Sequence, residues 1–202
     1  MVKQERAART REGLVHAAAS QFDLDGYAGA SLVRISKAAG ISLGAVTFHF
    51  PSKAELAEAV ESQGRAQVRA TLSRMAVGSA PALEQLGELT LELGRLIEQE
   101  DTVRAMVRLE RERPGIAHWS EIWLPTADEL LRRAYDSGEL RASAQPEAMS
   151  TLVVHLIAGA EITLRRHRAA GTAPSEGAVD LLARIWQLVL TGISARRITP
   201  GP

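Results

Sequence analysis

The side chains best suited to chemistry lie between residues 42 and 53, and the chemistry they suit is non-covalent binding. Ser42, Thr47 and His49 can exchange hydrogen bonds with an external partner, and Lys53 can neutralise a phosphate. Gly44 lies among them and lets a ligand approach the backbone closely. We therefore expect His49 to donate to a phosphate rather than to take part in catalysis.

Two short helices must position these side chains. Ser31 is a good N-cap for the first helix, and Gly40 is expected to end it because glycine tolerates a left-handed backbone. Ser42 caps a second helix of about two turns, and Pro51 closes it. Two short helices across a glycine-containing turn predict a helix-turn-helix, whose second helix can enter the major groove of DNA. An ordinary helical hairpin in an all-α protein is the alternative.

The second helix, over residues 42–50, is predicted to carry most of the DNA contacts. Its outward side chains would face base edges, whereas Phe48 and Phe50 would hold the helix onto its domain. Lys53 starts the next helix, where free backbone amides also favour a phosphate. The predicted DNA-binding residues are Arg6, Ser31, Ser42, Leu43, Gly44, Ala45, Val46, Thr47, His49 and Lys53.

The order of these signals resembles a known family. The motif residues run from Gly26-Tyr27 through Ser31, Ile35, Ala39-Gly40-Ile41-Ser42 and Gly44 to His49-Phe50-Pro51-Ser52-Lys53. This pattern is similar to the DNA-binding domain of TetR-type repressors. The stretches KQERAARTRE, FHFPSKAELAEAV and RLERER further resemble the γ-butyrolactone autoregulator receptors of actinomycetes. Two positions depart from those relatives, because Leu43 stands where the receptors often carry Lys and Thr47 stands where most relatives carry Tyr.

Composition and charge distribution agree with a soluble DNA-binding protein. The 202 residues are 46% hydrophobic and 24% charged, with no cysteine and zero formal net charge. Residues 1–53 hold seven Lys or Arg and four Asp or Glu, a net charge of +3, which leaves −3 for the rest because the chain has 24 of each sign. The positive share therefore coincides with the helix-turn-helix, as phosphate binding requires. Since no long apolar run and no apolar N-terminus is present, we predict a cytoplasmic protein without a membrane span.

The sequence contains no constellation typical of an enzyme or a metal site. The histidines show no HExxH pairing, no glycine-rich phosphate loop occurs, and no serine lies in a strand–turn–helix setting. We therefore predict no catalytic residue, no metal and no cofactor, and we expect that the protein is not an enzyme. A helical small-molecule enzyme or carrier is the runner-up class.

Helical periodicity continues to the end of the chain, and strand-like alternation persists nowhere. We predict an all-α fold of about nine helices, with a helix-turn-helix DNA-binding domain over 1–53 and a larger ligand-binding and dimerisation domain over 54–202. Pro125 is expected to interrupt one helical run. Besides the helix-turn-helix, helices are predicted over about 6–24, 52–77, 79–100, 101–113, 126–137, 146–167 and 175–194.

The last two of these helices are apolar around nearly their whole circumference. Such helices must be covered on every side, and in a domain this small one flank faces the core and the other a partner chain. We predict a homodimer in which they form a four-helix bundle with their symmetry mates, and completion of a monomer core is the alternative. The predicted interface residues are Val153, Leu156, Ala160, Leu182, Ile185, Trp186 and Val189.

Trp119 and Trp123 lie near polar residues in the sequence, which indicates an apolar cavity in the larger domain. The alternative is that both tryptophans are plain core residues. The resemblance favours the cavity, because butyrolactone receptors carry a pocket tryptophan near the position of Trp123. It implies ligands such as butyrolactones, butenolides or alkylfurans. The predicted ligand contacts are Leu86, Leu89, Leu93, Val107, Arg108, Glu110, Trp119, Ser120, Trp123, Val154 and His155.

These predictions combine into a gene switch. The dimer would bind a pseudo-palindromic operator of double-stranded DNA, and a small-molecule effector would shift it to a state with more widely spaced recognition helices. Repression is then relieved by the ligand. The alternative is a dimeric DNA-binding regulator that has no ligand.

Overall fold

A computed structural model describes residues 2–75, 80–113, 115, 118–171 and 177–195, with side chains from residue 4 onward. Nine α-helices make up most of this described part, and within it the only strand-like pairing is an isolated bridge between Leu140 and Ser194. The predicted all-α fold is confirmed. The helices are α1 (Val2–Gly29), α2 (Leu32–Ala38), α3 (Leu43–His49), α4 (Lys53–Met75), α5 (Ala82–Gln99), α6 (Asp101–Glu112), α7 (Ser120–Asp136), α8 (Pro146–Ala169) and α9 (Ala178–Ile193).

The first predicted helix end is marked by a break in α1. Gly26 leaves helical geometry, with a φ of 73° and a ψ of 178° that suit glycine. A Cβ at this position would lie 2.5 Å from the Glu112 carboxylate, so any larger residue would also displace that side chain. The predicted limits at Val77, Pro114 and Ser175 lie outside the described residues.

The predicted interruption at Pro125 is wrong. α7 runs from Ser120 to Asp136 with Pro125 inside it. Proline removes one helical hydrogen bond and crowds the preceding turn, which usually breaks or kinks a helix. The proline ring is exposed here, whereas Trp123 and Ala127 on either side of it are buried. Packing of that buried face holds the helix together through the proline.

The chain forms two compact units. The first comprises Met1–Gln67 and Glu100–Trp119, and the second comprises Val68–Gln99 and Ser120–Pro202. α4 therefore begins in the first unit and ends in the second. The functional boundary after residue 53 stays a prediction, because compactness does not show where DNA binding ends.

The core of the first unit joins α6 to the N-terminal helices. Ala105 and Leu109 of α6 are fully buried in the same cluster as side chains from α1 to α4. Arg104 of α6 also donates from Nε to the Asp23 carboxylate of α1 at 2.6 Å, and both side chains are largely buried. The ion pair and the shared core together fix α6 against α1. The other buried members of the cluster are Leu14, Val15, Ala18, Ala19, Phe22, Ala30, Ile35, Val46, Phe50, Leu56, Ala57 and Val60.

α5 is the central element of the second unit and contacts α7, α8 and α9. Its inner face is apolar, and the buried leucines on that face are Leu83, Leu86, Leu89 and Leu93. Two glycines bring α9 close to α5. A Cβ on Gly87 would lie 2.5 Å from Nε1 of Trp186, and a Cβ on Gly94 would lie 2.9 Å from Leu182. Only hydrogen fits at these two positions, so α9 packs directly on the α5 backbone.

Candidate functional site

The turn between α2 and α3 forms as its local signals dictate. Gly40 has a φ of 68°, which lets the Ile41 amide donate back to the Ser36 carbonyl at 3.1 Å and closes the end of α2. Ser42 Oγ then accepts a hydrogen bond from the Ala45 amide at 3.2 Å and starts α3. The predicted helix-turn-helix is present.

α3 presents one face to the core and the opposite face to solvent. Val46 and Phe50, four residues apart, are buried and anchor the helix. The prediction that Val46 contacts DNA is therefore wrong, since its side chain has no exposed surface. The prediction that Phe48 anchors the helix is also wrong, because its side chain is 82% exposed. The residue midway between two anchors on one helical face points away from that face, so the sequence did contain a signal for Phe48.

The remaining predicted DNA contacts differ in exposure. Ala45 and His49 are half-buried at the edge of α3. Ser31 is half-buried as well, and its Oγ accepts from the Arg34 amide at 3.3 Å, which makes it the cap of α2. The exposed members are Arg6, Ser42, Leu43, Gly44 and Thr47. Contact of all these residues with DNA stays a prediction.

Further cations of the first unit face solvent. Arg9 and Lys37 are exposed. Arg11 is exposed too, and its guanidinium lies 4.7 Å from the centre of the Phe50 ring. Exposed Arg and Lys side chains supply most phosphate contacts in protein–DNA complexes. The exposed Arg9, Arg11 and Lys37 therefore agree with a DNA-binding surface near the helix-turn-helix.

Lys53 has a structural role that the sequence did not indicate. Its Nζ donates to the Tyr27 carbonyl at 2.7 Å and to the Ala30 carbonyl at 3.1 Å. The same ammonium lies 4.4 Å from the centre of the Tyr27 ring. Lys53 thereby ties the start of α4 to the break at the end of α1. Its predicted contact with a phosphate would use the donor capacity that these bonds leave.

We expect Lys53→Met to lower the free energy of unfolding by about 2 kcal/mol, because two carbonyls lose a charged donor while the side-chain length is kept. Chemical denaturation measures the change. Lys37→Met, at an exposed position, is the control and should alter stability by less than about 0.5 kcal/mol. A Lys53→Met protein as stable as the parent would refute the structural role.

The RLERER segment, residues 108–113, binds neighbouring parts of the first unit. Arg108 donates from Nη1 to the Asp23 backbone carbonyl at 2.6 Å. Glu110 accepts a hydrogen bond from the Trp119 amide at 2.5 Å, and burial raises the pKa of its carboxyl group. Because these polar groups are engaged within the unit, Arg108 and Glu110 are poor candidates for orienting a ligand.

Most of the other predicted ligand contacts are core residues. Ser120 and Val154 are half-buried in the second unit. Trp123 is among the largest side chains that are fully buried. Within their own units, the buried members of the set are Val107 and Trp119 in the first and Leu86, Leu89, Leu93 and Trp123 in the second.

His155, a predicted ligand contact, lies at the surface of the second unit and not in its core. Its side chain is exposed, and its Nδ1 lies 2.7 Å from the Thr151 carbonyl of the same helix. Val153 and Ile157 of α8 face the core, and His155 lies midway between them on the helix. The side chain therefore faces away from the core, and it lines a surface groove between α8 and α9.

A cleft of about 380 Å³ opens in the second unit beside the buried leucines of α5. Leu89 is its only member from the predicted set. Its walls combine apolar side chains with three charged ones, Glu88, Glu129 and Arg133. The other lining residues are Leu72, Met75, Gln85, Pro125, Thr126 and Leu130.

The predicted dimer residues divide into two groups. Val153, Leu182 and Trp186 are buried inside the subunit, so their assignment to an interface is wrong. For Leu182 and Trp186 the physical reason is that Gly87 and Gly94 of α5 leave room for the two side chains. Val153 is buried on α8 together with Ile157. The others belong to an apolar surface, here named the outer face, that comprises Leu156, Ala160, Ile185, Leu188 and Val189. These residues are half-buried except Leu188, which is 72% exposed.

The outer face is continuous with a groove of about 210 Å³ between α8 and α9, which Leu156, Ala160 and Ile185 line. The other lining residues are His155, Gly159, Thr163, Ala178, Leu181 and Leu182. α8 is long and apolar enough to cross a membrane by length and composition, and 28% of its most apolar window is buried. The core helix of a soluble protein passes the same test.

Comparison with known proteins agrees with this geometry. Residues 14–60, which contain the helix-turn-helix, match the family model described as bacterial regulatory proteins, tetR family. The A-factor receptor protein of Streptomyces griseus is 28% identical over 197 residues, which cover 96% of this chain and 67% of that protein.

Two solved structures are similar over nearly the whole chain. Full-length TylP of Streptomyces fradiae, a TetR regulator, is 31% identical with a TM-score of 0.61, and the match covers 94% of this chain and 89% of that one. An ArpA-like γ-butyrolactone receptor is 28% identical with a TM-score of 0.68, and the match covers 91% of this chain and 98% of that one. The prediction that the protein is not an enzyme is confirmed. The chain belongs to the TetR family of DNA-binding transcriptional regulators and is similar, within it, to the γ-butyrolactone receptors.

Proposed function

We propose that this chain is a cytoplasmic repressor that binds a pseudo-palindromic operator as a homodimer and leaves it when a γ-butyrolactone-like molecule binds. The observation that carries the proposal is the division of α3 into a buried face, anchored by Val46 and Phe50, and an exposed face. A short helix held this way can lie in a major groove without disturbing its own domain.

The outer face supports the homodimer. Apolar side chains on two neighbouring helices that contact each other are what a four-helix bundle with a second copy would bury. A twofold dimer presents two copies of α3, and two half-sites on one side of DNA must lie about 34–36 Å apart. A pseudo-palindromic operator follows from that symmetry.

The effector would occupy the apolar interior of the second unit. Leu86, Leu89 and Leu93 lie on the buried face of α5, and Trp123 lies on the buried face of α7, which contacts α5. A ligand with an apolar chain and a small polar head suits such a lining. The cleft that Leu89 also lines would provide an entry route. The receptor relatives support a butyrolactone, a butenolide or a furan as the chemical class.

Release would be a shift of populations. A ligand changes the balance between two states of the dimer only by its difference in affinity for them. α4 runs without a break from Lys53 to Met75, from the first unit into the second. We propose that it carries the movement from the effector to the DNA-binding surface.

The experiment is a mobility-shift assay on duplexes selected by the protein from randomised sequence, with γ-butyrolactones and furans added to the complex. The ring-opened hydroxy acid of each lactone is the matched control. Binding followed by release with the closed ring is the expected result. Binding without release by any such compound would favour the ligand-independent regulator. Failure to bind any duplex would contradict the proposed repressor and would leave a helical small-molecule carrier.

Trp123→Phe should raise the lactone concentration needed for release by about tenfold, which corresponds to about 1.4 kcal/mol of lost contact. Phenylalanine keeps a large apolar side chain at this fully buried position, so the fold and the affinity for DNA should be unchanged. Titration of the preformed complex with lactone measures the effect. An unchanged release curve would place the effector away from Trp123.

A further inference from the structure

α3 is the proposed recognition helix, and it has none of the side chains that commonly recognise a base by forming two hydrogen bonds with its major-groove edge. No Asp, Glu, Lys, Arg, Asn or Gln occurs between Lys37 and Lys53. Contacts of arginine with guanine, of asparagine or glutamine with adenine, and of a carboxylate with cytosine all need those residues. Base reading by α3 must therefore use hydroxyl groups, an imidazole or apolar side chains.

The hydroxyl groups of Ser42 and Thr47 are engaged in hydrogen bonds within the helix. Ser42 Oγ caps the helix by accepting from the Ala45 amide at 3.2 Å. Thr47 Oγ1 lies 3.2 Å from the carbonyls of both Leu43 and Gly44, and its hydroxyl proton is directed at them. The half-buried His49 ring lies at the edge of α3 and meets the Phe48 ring edge to face, with centroids 5.3 Å apart. Apolar side chains are left as the main reading surface.

Leu43 and Phe48 bracket the exposed arc of the helix. At about 100° per residue, side chains follow one another around α3 in the order Leu43, Thr47, Gly44, Phe48 and span about 140°. Leu43 is 42% exposed and Phe48 is 82% exposed. A Cβ on Gly44 would meet only Ser42 Oγ, at 4.0 Å. The exposed arc therefore has a large apolar side chain at each end, Leu43 and Phe48, with the smaller Thr47 and the open position of Gly44 between them.

We propose that Leu43 and Phe48 read thymine in the major groove through its C5 methyl group. This inference rests on the proposed function, in which α3 enters operator DNA. The thymine methyl is the apolar feature of the major-groove edge, whereas the other bases present amino groups and acceptors there. An apolar side chain placed against those polar groups would remove water from them without replacing its hydrogen bonds. Each half-site should therefore hold thymine opposite Leu43 and opposite Phe48.

Replacement of single thymines by deoxyuridine tests the proposal, because deoxyuridine lacks only the methyl group. The probe is the duplex selected from randomised sequence. Binding should weaken about fourfold at two positions of each half-site, since burial of one methyl is worth about 0.8 kcal/mol. Phe48→Ala should abolish the weakening at one of these positions and keep it at the other, and Leu43→Ala should do the reverse.

Val33→Ala is the matched control. It removes another exposed apolar side chain of the helix-turn-helix, on α2. The loss of affinity that deoxyuridine causes at each of the two positions should be unchanged in this variant. Leu43 and Phe48 are exposed, so their alanine variants should melt like the parent. If the protein binds no duplex at all, the proposed function itself fails. If the protein binds but deoxyuridine weakens binding at no position, the proposed contacts with thymine methyl groups are wrong. The same conclusion follows if both alanine variants still lose affinity at both positions.

Discussion

Ile185→Asp is expected to give a folded subunit that no longer dimerises and that binds operator DNA on the order of 10²–10⁴-fold more weakly. Ile185 belongs to the outer face of α8 and α9 and is half-buried in the single chain. A charge there would have to lose its water in the proposed interface without a partner. A monomer would then engage one half-site at a time and lose the gain from simultaneous binding.

Light scattering and a mobility-shift assay measure the two effects, and thermal melting at a fixed protein concentration checks the fold. Gln187→Asp is the matched control, because it places the same charge on the polar side of α9, at an exposed position. It should remain dimeric and bind DNA normally. A dimeric Ile185→Asp protein would mean that the subunits associate through another surface.

Trp186→Ala, one residue further along α9, is expected to have the opposite effect. It should lower the free energy of unfolding by about 3–5 kcal/mol, because a large aromatic side chain leaves a core that cannot close around the gap. Trp186 is only 2% exposed, and its indole lies against the backbone of Gly87. Urea denaturation measures the loss of stability.

Two control variants test the prediction for Trp186. One keeps an aromatic ring at this position, and the other changes a different position of α9. Trp186→Phe keeps most of the ring and removes a buried indole N–H that finds no acceptor among the described residues, so it should lose much less stability than alanine. Gln187→Ala, at an exposed position on the same helix, should also cost little. If Trp186→Ala were as stable as the parent and monomeric, Trp186 would be an interface residue, as its sequence pattern suggested.

The expected difference between Ile185→Asp and Trp186→Ala shows what an apolar pattern cannot predict, namely which apolar flank of a helix is buried within the subunit. α9 carries apolar residues on more than one flank, and periodicity alone assigned both Ile185 and Trp186 to the dimer interface. Gly87 and Gly94, about ninety residues earlier in the chain, decide between them because they let α9 approach α5 on one flank only. The apolar pattern of α9 alone does not show which of its flanks packs against α5.

The same limit applies to α3 and α8. The sequence predicted both helices with nearly correct ends, but it placed Val46 on the DNA-facing side and His155 in the ligand-binding cavity, whereas Val46 is buried and His155 is exposed. Which flank of a helix is buried depends on partners from other helices, such as Phe22 and Leu56 in the cluster that holds Val46. Phe48 is the exception, since the spacing of Val46 and Phe50 already implied its exposure.

By itself, the sequence determined the features that local physical chemistry decides. Ser31 and Ser42 start their helices, Gly40 turns the chain between them, and the motif of residues 26–53 identifies the family, because caps, turns and motif spacing depend on neighbours within a few residues. The tertiary structure alone decided that α6 belongs with the DNA-binding helices. That assignment depends on the Arg104–Asp23 ion pair between residues 81 positions apart, and on Ala105 and Leu109 filling a core formed mainly by other helices. Contacts of this range arise only when the chain has folded, so no local pattern could have predicted them.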